Sequence, residues 1–259
     1  MQSSSFRAYG NKRGVKVKYT IFAVSDVHGH YTELKRALDQ AKFNENDEAH
    51  VFLSCGDLFD RGRENAAVYR FVKGLKRKIL IRGNHEDMLC DVLRRGVFED
   101  FEISNGTDRT VKELLDITDW DENGGFDVRK HDERIREIIA FADSMQHYFE
   151  TEHYVFTHGW LPLAFEGRKP CIDPLWREAS PSDWEIAHQL EWQQTYNVRA
   201  MLDGKTIVCG HRPACLAHLF DDMRDLNCYE PFFGDGIVAI DSGTVRSGSV
   251  YVVVIEAEF

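Results

Sequence analysis

What this 259-residue sequence lacks removes several classes of protein at the outset. No apolar run approaches the roughly 18 residues of a membrane-spanning helix; the longest apolar strand candidate, 250–255, is far shorter. No apolar segment follows the basic residues scattered through MQSSSFRAYGNKRGVKVKY, so no secretory signal is visible and a cytoplasmic location is expected. Nor is there a basic surplus. Lys and Arg number 32 against 43 Asp and Glu, a formal net charge of −11, whereas duplex nucleic acid demands a basic face. The six cysteines (Cys55, Cys90, Cys171, Cys209, Cys215, Cys228) include no CxxC pair, which argues against a structural zinc site and for reduced, mostly buried thiols. Internal repeats and low-complexity linkers are absent too, so one domain is expected.

What is present suits a soluble globular chain: 43% hydrophobic and 29% charged residues. Residues 1–18 carry no periodicity and read as a flexible extension, with the folded domain over 19–259. Short apolar runs then recur at 19–24, 50–54, 78–81, 153–157, 206–209, 236–240 and 250–255, and read as strands. Leu34, Leu38 and Ala41 mark the helix after the first; Val68, Phe71, Val72 and Leu75 mark the one after the second. This βαβαβ opening predicts parallel pairing and an α/β fold. Residues 96–150 read as a helical insertion with loops at NGT (105–107) and NGG (123–125); Ile135, Ile138, Ile139, Ala142 and Met145 line its clearest amphipathic helix. Short connections after Thr206 suggest closing antiparallel hairpins.

The chemistry gathers after the strands. SDVHGH (25–30) follows the first, CGDLFDRG (55–62) the second and RGNHED (82–87) the third; THG (157–159) and CGHRP (209–213) end two later ones. Ligands of α/β sheets collect beyond the carboxyl ends of strands, so five such tips can converge on one crevice. Asp and Asn oxygens mixed with imidazoles suit manganese, iron or zinc better than calcium or magnesium. Glycine beside nearly every candidate (Gly29, Gly56, Gly83, Gly159, Gly210) allows a sharp turn off a strand and leaves room for a substrate. A single Asp or His at a strand end is more often a turn former; the ordered set carries the inference. His30, His50, His131, His147, His153, His188 and His218 have no motif around them and read as ordinary histidines. Trp160, Trp176, Trp184 and Trp192 could stack a nucleobase but more simply pack a core.

The order SDVHG, GDLFDRG, GNHE, HG, GH resembles the phosphoprotein phosphatase branch of the calcineurin-like metallophosphoesterases over residues 19–255, and is most similar to bacterial and phage lambda-type serine/threonine phosphatases. The resemblance implies a two-sheet β sandwich flanked by helices, with the insertion near the cleft. It implies two divalent transition-metal ions, manganese first and iron or zinc as substitutes, held by Asp26, His28, a bridging Asp57, Asn84, His158 and His211. Arg61 and Arg177 would grip phosphate, which a guanidinium matches bidentately; His85 would donate a proton, oriented by Asp60. Such a metal pair would acidify a water and stabilise an in-line displacement at phosphorus. Ser25 departs from the family's usual glycine. A phosphorylated protein is the first substrate expected and a dinucleoside tetraphosphate the second, with His28 weighing against the symmetrical tetraphosphatases. A metal-bound phosphate-binding module without turnover is the third reading.

Overall fold

A computed structural model describes residues 18–120, 124–192, 202–221 and 226–258. The N-terminal extension expected over 1–18 thus lies outside the described residues, except Lys18, which opens the first strand.

The chain begins β1 (Lys18–Val24), α1 (Tyr31–Gln40), β2 (His50–Ser54), α2 (Asn65–Gly74), β3 (Lys78–Leu80), α3 (Asn84–Arg95). The first three strands pair in parallel, as the βαβαβ pattern requires. Residues 96–150 fold as α4 (Asp100–Asn105), α5 (Thr107–Leu115), a short 3-10 turn and α6 (Asp132–Asp143), and close with β4 (Tyr148–Glu150). NGT is a single-residue break between two helices, made by Gly106 at φ +83°. There follow β5 (Tyr154–Thr157), β6 (Leu163–Glu166), β7 (Lys169–Ile172), α7 (Pro181–His188), β8 (Thr206–Pro213), α8 (Ala214–Asp221), β9 (Phe232–Gly234), β10 (Ile237–Asp241), α9 (Thr244–Ser247) and β11 (Val253–Glu258).

Two sheets result, ordered β11-β1-β2-β3 and β4-β5-β8-β10-β9, with β6-β7 a separate hairpin. The side-chain period of two explains how they stack. Ile21, Ala23, Val51, Leu53 and Ile79 point one way and meet Phe156, Val208, Val238 and Ile240 of the second sheet. Phe22, Val24, Phe52 and Leu80 point the other way, into Leu34, Leu38, Val68, Val72, Leu89, Leu93, Val111 and Ile138 of the helices. Val155, Ile207 and Cys209 cover the outer face of the second sheet with Trp160, Trp176 and Trp184, so those three indoles are core. Strands buried on both faces read as continuous apolar runs, which is why the sequence displayed them. The mixed sheets flanked by helices are the fold expected.

Three local expectations need correcting. β8 and β10 are parallel, joined through α8; among the described residues of the closing segment only β9–β10 forms an antiparallel hairpin, and β11 crosses back to pair antiparallel with β1 in the other sheet. β11 starts at Val253 rather than Val250, because Val250 is packed under the helices and an all-apolar run does not mark its own strand start. β4, β6, β7 and β9, of three or four residues each, are too short for a period to register. Among the described residues no helix is long and apolar enough to cross a membrane.

Candidate metal centre at the strand tips

Adjacent strand tips are zipped together by their own backbones. After β1 and β2, Asp26 N donates to Gly56 O (3.1 Å), His28 N to Asp57 O (3.0 Å) and Gly62 N to His28 O (2.9 Å). Across the second sheet Gly210 N donates to His158 O (2.8 Å), and His211 N reaches Asp26 Oδ2 (2.9 Å), tying the two sheets. In β8 the register slips between Ala239 and Asp241 of its partner, a bulge that lets His211 turn out of the ladder.

This arrangement strains the backbone. Asp26, His28, Asp57, Asp60, Arg61 and His211 all hold a left-handed φ between 48° and 72°, six of the nine such non-glycine residues described. Each position costs about 1–3 kcal/mol, and such outliers persist where a site needs them. Contact requires glycine here as well: a Cβ on Gly83 would collide with Asp57 Oδ1, and one on Gly210 with Ser25 Oγ and Asp26 Oδ2. The departure at Ser25 is thereby accommodated. Its buried hydroxyl donates to Asp26 Oδ2 at 2.5 Å and sits against the hydrogen-only face of Gly210.

The expected ligands converge. Asp57 stands between two groups able to hold a cation, one with His28 and His85 and one with His158 and His211. His28 Nε2 and His85 Nε2 both lie 3.8 Å from Asp57 Oδ2, and His158 Nε2 lies 3.3 Å from Oδ1. Asn84 Oδ1 faces His158 Nε2 at 2.9 Å and His211 Nδ1 at 3.1 Å. Asp26 Oδ1 joins from the side, 3.8 Å from His28 Nε2. His85, expected as a proton donor, thus also belongs to one of the two groups able to hold a cation.

The donor set fits metal. His28 Nδ1 is held by Phe59 O (2.9 Å) and His158 Nδ1 by Cys55 O (2.7 Å), which turns each Nε2 toward the cluster. Burial holds the His28 imidazole well below its ordinary range and pushes His211 down to about 4, so both are neutral and free to ligate. Burial opposes ionisation of Asp57, but His158, His85 and His28 around it hold its carboxyl far below the usual range.

Arg61 donates to His28 Nε2 at 3.0 Å and His85 Nε2 at 3.1 Å, a fork resting across one edge of the cluster. Asp60 Oδ2 meets His85 Nδ1 at 2.7 Å, both side chains buried. Arg177 is not brought to the site. It is bidentate to Glu150 at 2.6 and 2.9 Å, where Lys205 also binds, and it lies over Trp176. Lys205 precedes β8, so this pair sits at the end of the sheet opposite the tips. The assignment of Arg177 to phosphate is corrected accordingly: a WR dipeptide cannot reveal that a carboxylate on an unrecognised strand takes the guanidinium. Arg177→Ala should change kcat/KM by less than about twofold and cost at most about 1 kcal/mol of stability, as for a half-exposed pair; steady-state kinetics and a denaturant titration check it.

Sequence reasoning passed over Glu86. Fully buried, it accepts from Asp57 N (2.9 Å), Leu58 N (2.8 Å) and Gly83 N (2.9 Å), fixing the second tip to the third. Its place in GNHE was the available signal. His147 and His188, taken as ordinary, are linked at 3.3 Å, and His188 is bonded to Asp87 at 2.8 Å behind His158.

Comparison with known proteins agrees with this geometry. The family model "Calcineurin-like phosphoesterase" matches residues 19–220. A symmetrical bis(5'-nucleosyl)-tetraphosphatase of Proteus mirabilis is 37% identical over 102 residues, covering 39% of this chain and 34% of that protein. One from Legionella pneumophila is 36% identical over 105 residues, covering 40% and 35%. The matched segment is thus about a third of those relatives' length. A cold-active protein-tyrosine phosphatase of a psychrophilic Shewanella species superposes with TM-score 0.51 at 17% identity, covering 91% of this chain and 75% of that one. A protein serine/threonine phosphatase from Saccharomyces cerevisiae does so with TM-score 0.50 at 17% identity, covering 92% and 80%. At such identities the likeness is one of fold. The first two relatives bear the name of the symmetrical tetraphosphatases, the subgroup that His28 was expected to weigh against.

Proposed function

The chain belongs to the calcineurin-like phosphoesterase family, and from that premise we propose that it hydrolyses dinucleoside tetraphosphates, with two divalent transition-metal ions at the strand tips. The sharing of Asp57 between two cation-sized groups carries the hydrolytic part of this reading, and the tetraphosphatase relatives carry the substrate class. Asp26, His28 and Asp57 would hold one ion, with His85 within reach of it; Asp57, Asn84, His158 and His211 would hold the other. When bound, such a pair acidifies water and offsets charge at a phosphoryl group; manganese is the first candidate.

The protein's own groups do the rest. The contact of Arg61 with two imidazoles of the cluster supports its use on phosphate: its fork can leave them for two phosphate oxygens. Arg61→Ala should lose affinity for inorganic phosphate and orthovanadate together with turnover and keep its metal content; unchanged phosphate binding and turnover would remove Arg61 from the site.

A second reading, hydrolysis of phosphoserine or phosphothreonine, is favoured by one observation. The pairing of His85 with Asp60 at 2.7 Å supports its use as a proton donor to a leaving oxygen. A seryl alkoxide needs that proton far more than the weakly basic phosphate of a leaving nucleotide. Comparing kcat/KM for diadenosine tetraphosphate, a phosphoserine peptide and a phosphotyrosine peptide decides between them. The tetraphosphate is expected to lead by at least about tenfold, the free-energy equivalent of about 1.4 kcal/mol; a lead for the phosphoserine peptide would establish the second reading, and no turnover of any would leave a binding module.

A further inference from the structure

The helices inserted between β3 and β4 reach into the loop that carries Asp60 and Arg61. α5 starts directly after Gly106, and its first turns turn Thr107 and Thr110, three residues apart and on one face, toward that loop. Thr107 Oγ1 donates to Asp60 Oδ2 at 2.8 Å and Thr110 Oγ1 to Asp60 Oδ1 at 2.6 Å. Asp60 N donates back to Thr110 Oγ1 at 3.1 Å and to Asn65 Oδ1 at 2.9 Å. The neighbouring backbone is held too: Arg61 N donates to Asn105 O at 2.9 Å, and Arg109 donates to Arg61 O at 2.8 Å. Asp60, Thr107 and Thr110 are fully buried and His85 almost so, which leaves water no route to replace a lost hydroxyl.

Resting on the reading of His85 as the proton donor, we propose that Thr107 and Thr110 are positioning residues for the Asp60–His85 pair, and that this is the catalytic use of the helical insertion. A carboxylate tied only to one imidazole is free to turn about its last torsion and offer either oxygen. With Oδ1 pinned by Thr110 and Oδ2 by Thr107, the carboxylate plane is fixed and Oδ2 alone receives the Nδ1 proton of His85. That bond sets the ring's tautomer and aims Nε2 at the cluster. In the step served, the oxygen of water bonds to phosphorus as the bond to the leaving oxygen breaks. Once Arg61 has left Nε2 for the phosphate, that nitrogen can carry a proton: the leaving oxygen takes it from the imidazolium, and the proton released by the water restores it.

The test uses leaving groups rather than a physiological substrate. Thr107→Val with Thr110→Val keeps the shape and removes both hydroxyls. Metal-loaded, the double variant should lose about 10–100-fold in kcat on phenyl phosphate, the usual scale for groups that orient others, and only a few-fold on para-nitrophenyl phosphate, with KM unchanged. Serine at both positions should restore the wild-type values. In the zinc-loaded protein the downfield imidazole Nδ1–H resonance of His85 should vanish in the valine variant and return with serine. Equal losses on both substrates, or an undisturbed His85 resonance, would overturn the positioning role. His85→Asn separates the two layers: if it is selective and the valine variant is not, positioning fails alone; if it is itself unselective, the proton-donor reading fails and this proposal with it. Should the double variant not fold, Thr107→Val, which leaves the backbone bond to Thr110 intact, carries the same readouts.

Discussion

Asp57→Asn should abolish turnover, with a loss in kcat/KM of at least about 10²–10³-fold, the scale of removing one electrostatic stabiliser from a transition state. Asp57 is the group common to both potential cation sites, and its carboxylate faces His28, His85 and His158 at 3.8, 3.8 and 3.3 Å. The amide keeps the volume and one oxygen but not the charge, so both ions lose an anionic ligand at once. Metal content should fall from about two toward one or none, whereas Arg61→Ala should leave it intact. The contacts that fix this loop survive the change: Glu86 accepts from the Asp57 amide whatever the side chain, and the oxygen that asparagine keeps can still accept from His85 N. Far-ultraviolet circular dichroism should therefore be unchanged. An Asp57→Asn variant with wild-type kcat/KM and full metal content would remove the shared ligand from the account.

His85→Asn is the second large effect, and its size should depend on what leaves. General acid catalysis is worth roughly 10²–10⁴ where the leaving oxygen is strongly basic, so kcat on a phosphoserine peptide or phenyl phosphate should fall by that much. On para-nitrophenyl phosphate, whose leaving group needs no proton, the fall should be much smaller. Burial alone would lower the imidazole's pKa, but Asp57 and Asp60 outweigh it and raise it. His85 also lies at ligand distance from the cluster, which supplies the competing outcome. Equal losses on all substrates, together with lost metal, would make it a ligand and put the acid elsewhere.

How much of this was legible in the sequence follows from what each residue is bonded to. β1, β2, β3, β5 and β8 were visible because both their faces are buried, and the ligand motifs because each starts where such a run ends. Arg177 misled because its partner Glu150 lies on a three-residue strand with neither alternation nor length to betray it. Thr107 and Thr110 were invisible for another reason: a hydroxyl on an amphipathic helix looks like surface until the fold brings Asp60 against it. The left-handed backbone of Asp26, His28, Asp57 and His211 has no reliable sequence mark either, because the glycines beside them relieve crowding and not the strain itself. Substrate class was the least legible part, since the ligands report on metal and phosphate, which a phosphoprotein and a dinucleoside tetraphosphate share.

The most direct measurement is elemental analysis of the wild-type protein after manganese loading and removal of free ion, made alongside phosphoester turnover on the same sample. Two strand-tip sites joined by Asp57 predict two ions per chain and activity that rises with the second ion bound. Full activity at one ion per chain, or at none, would contradict the two-metal centre.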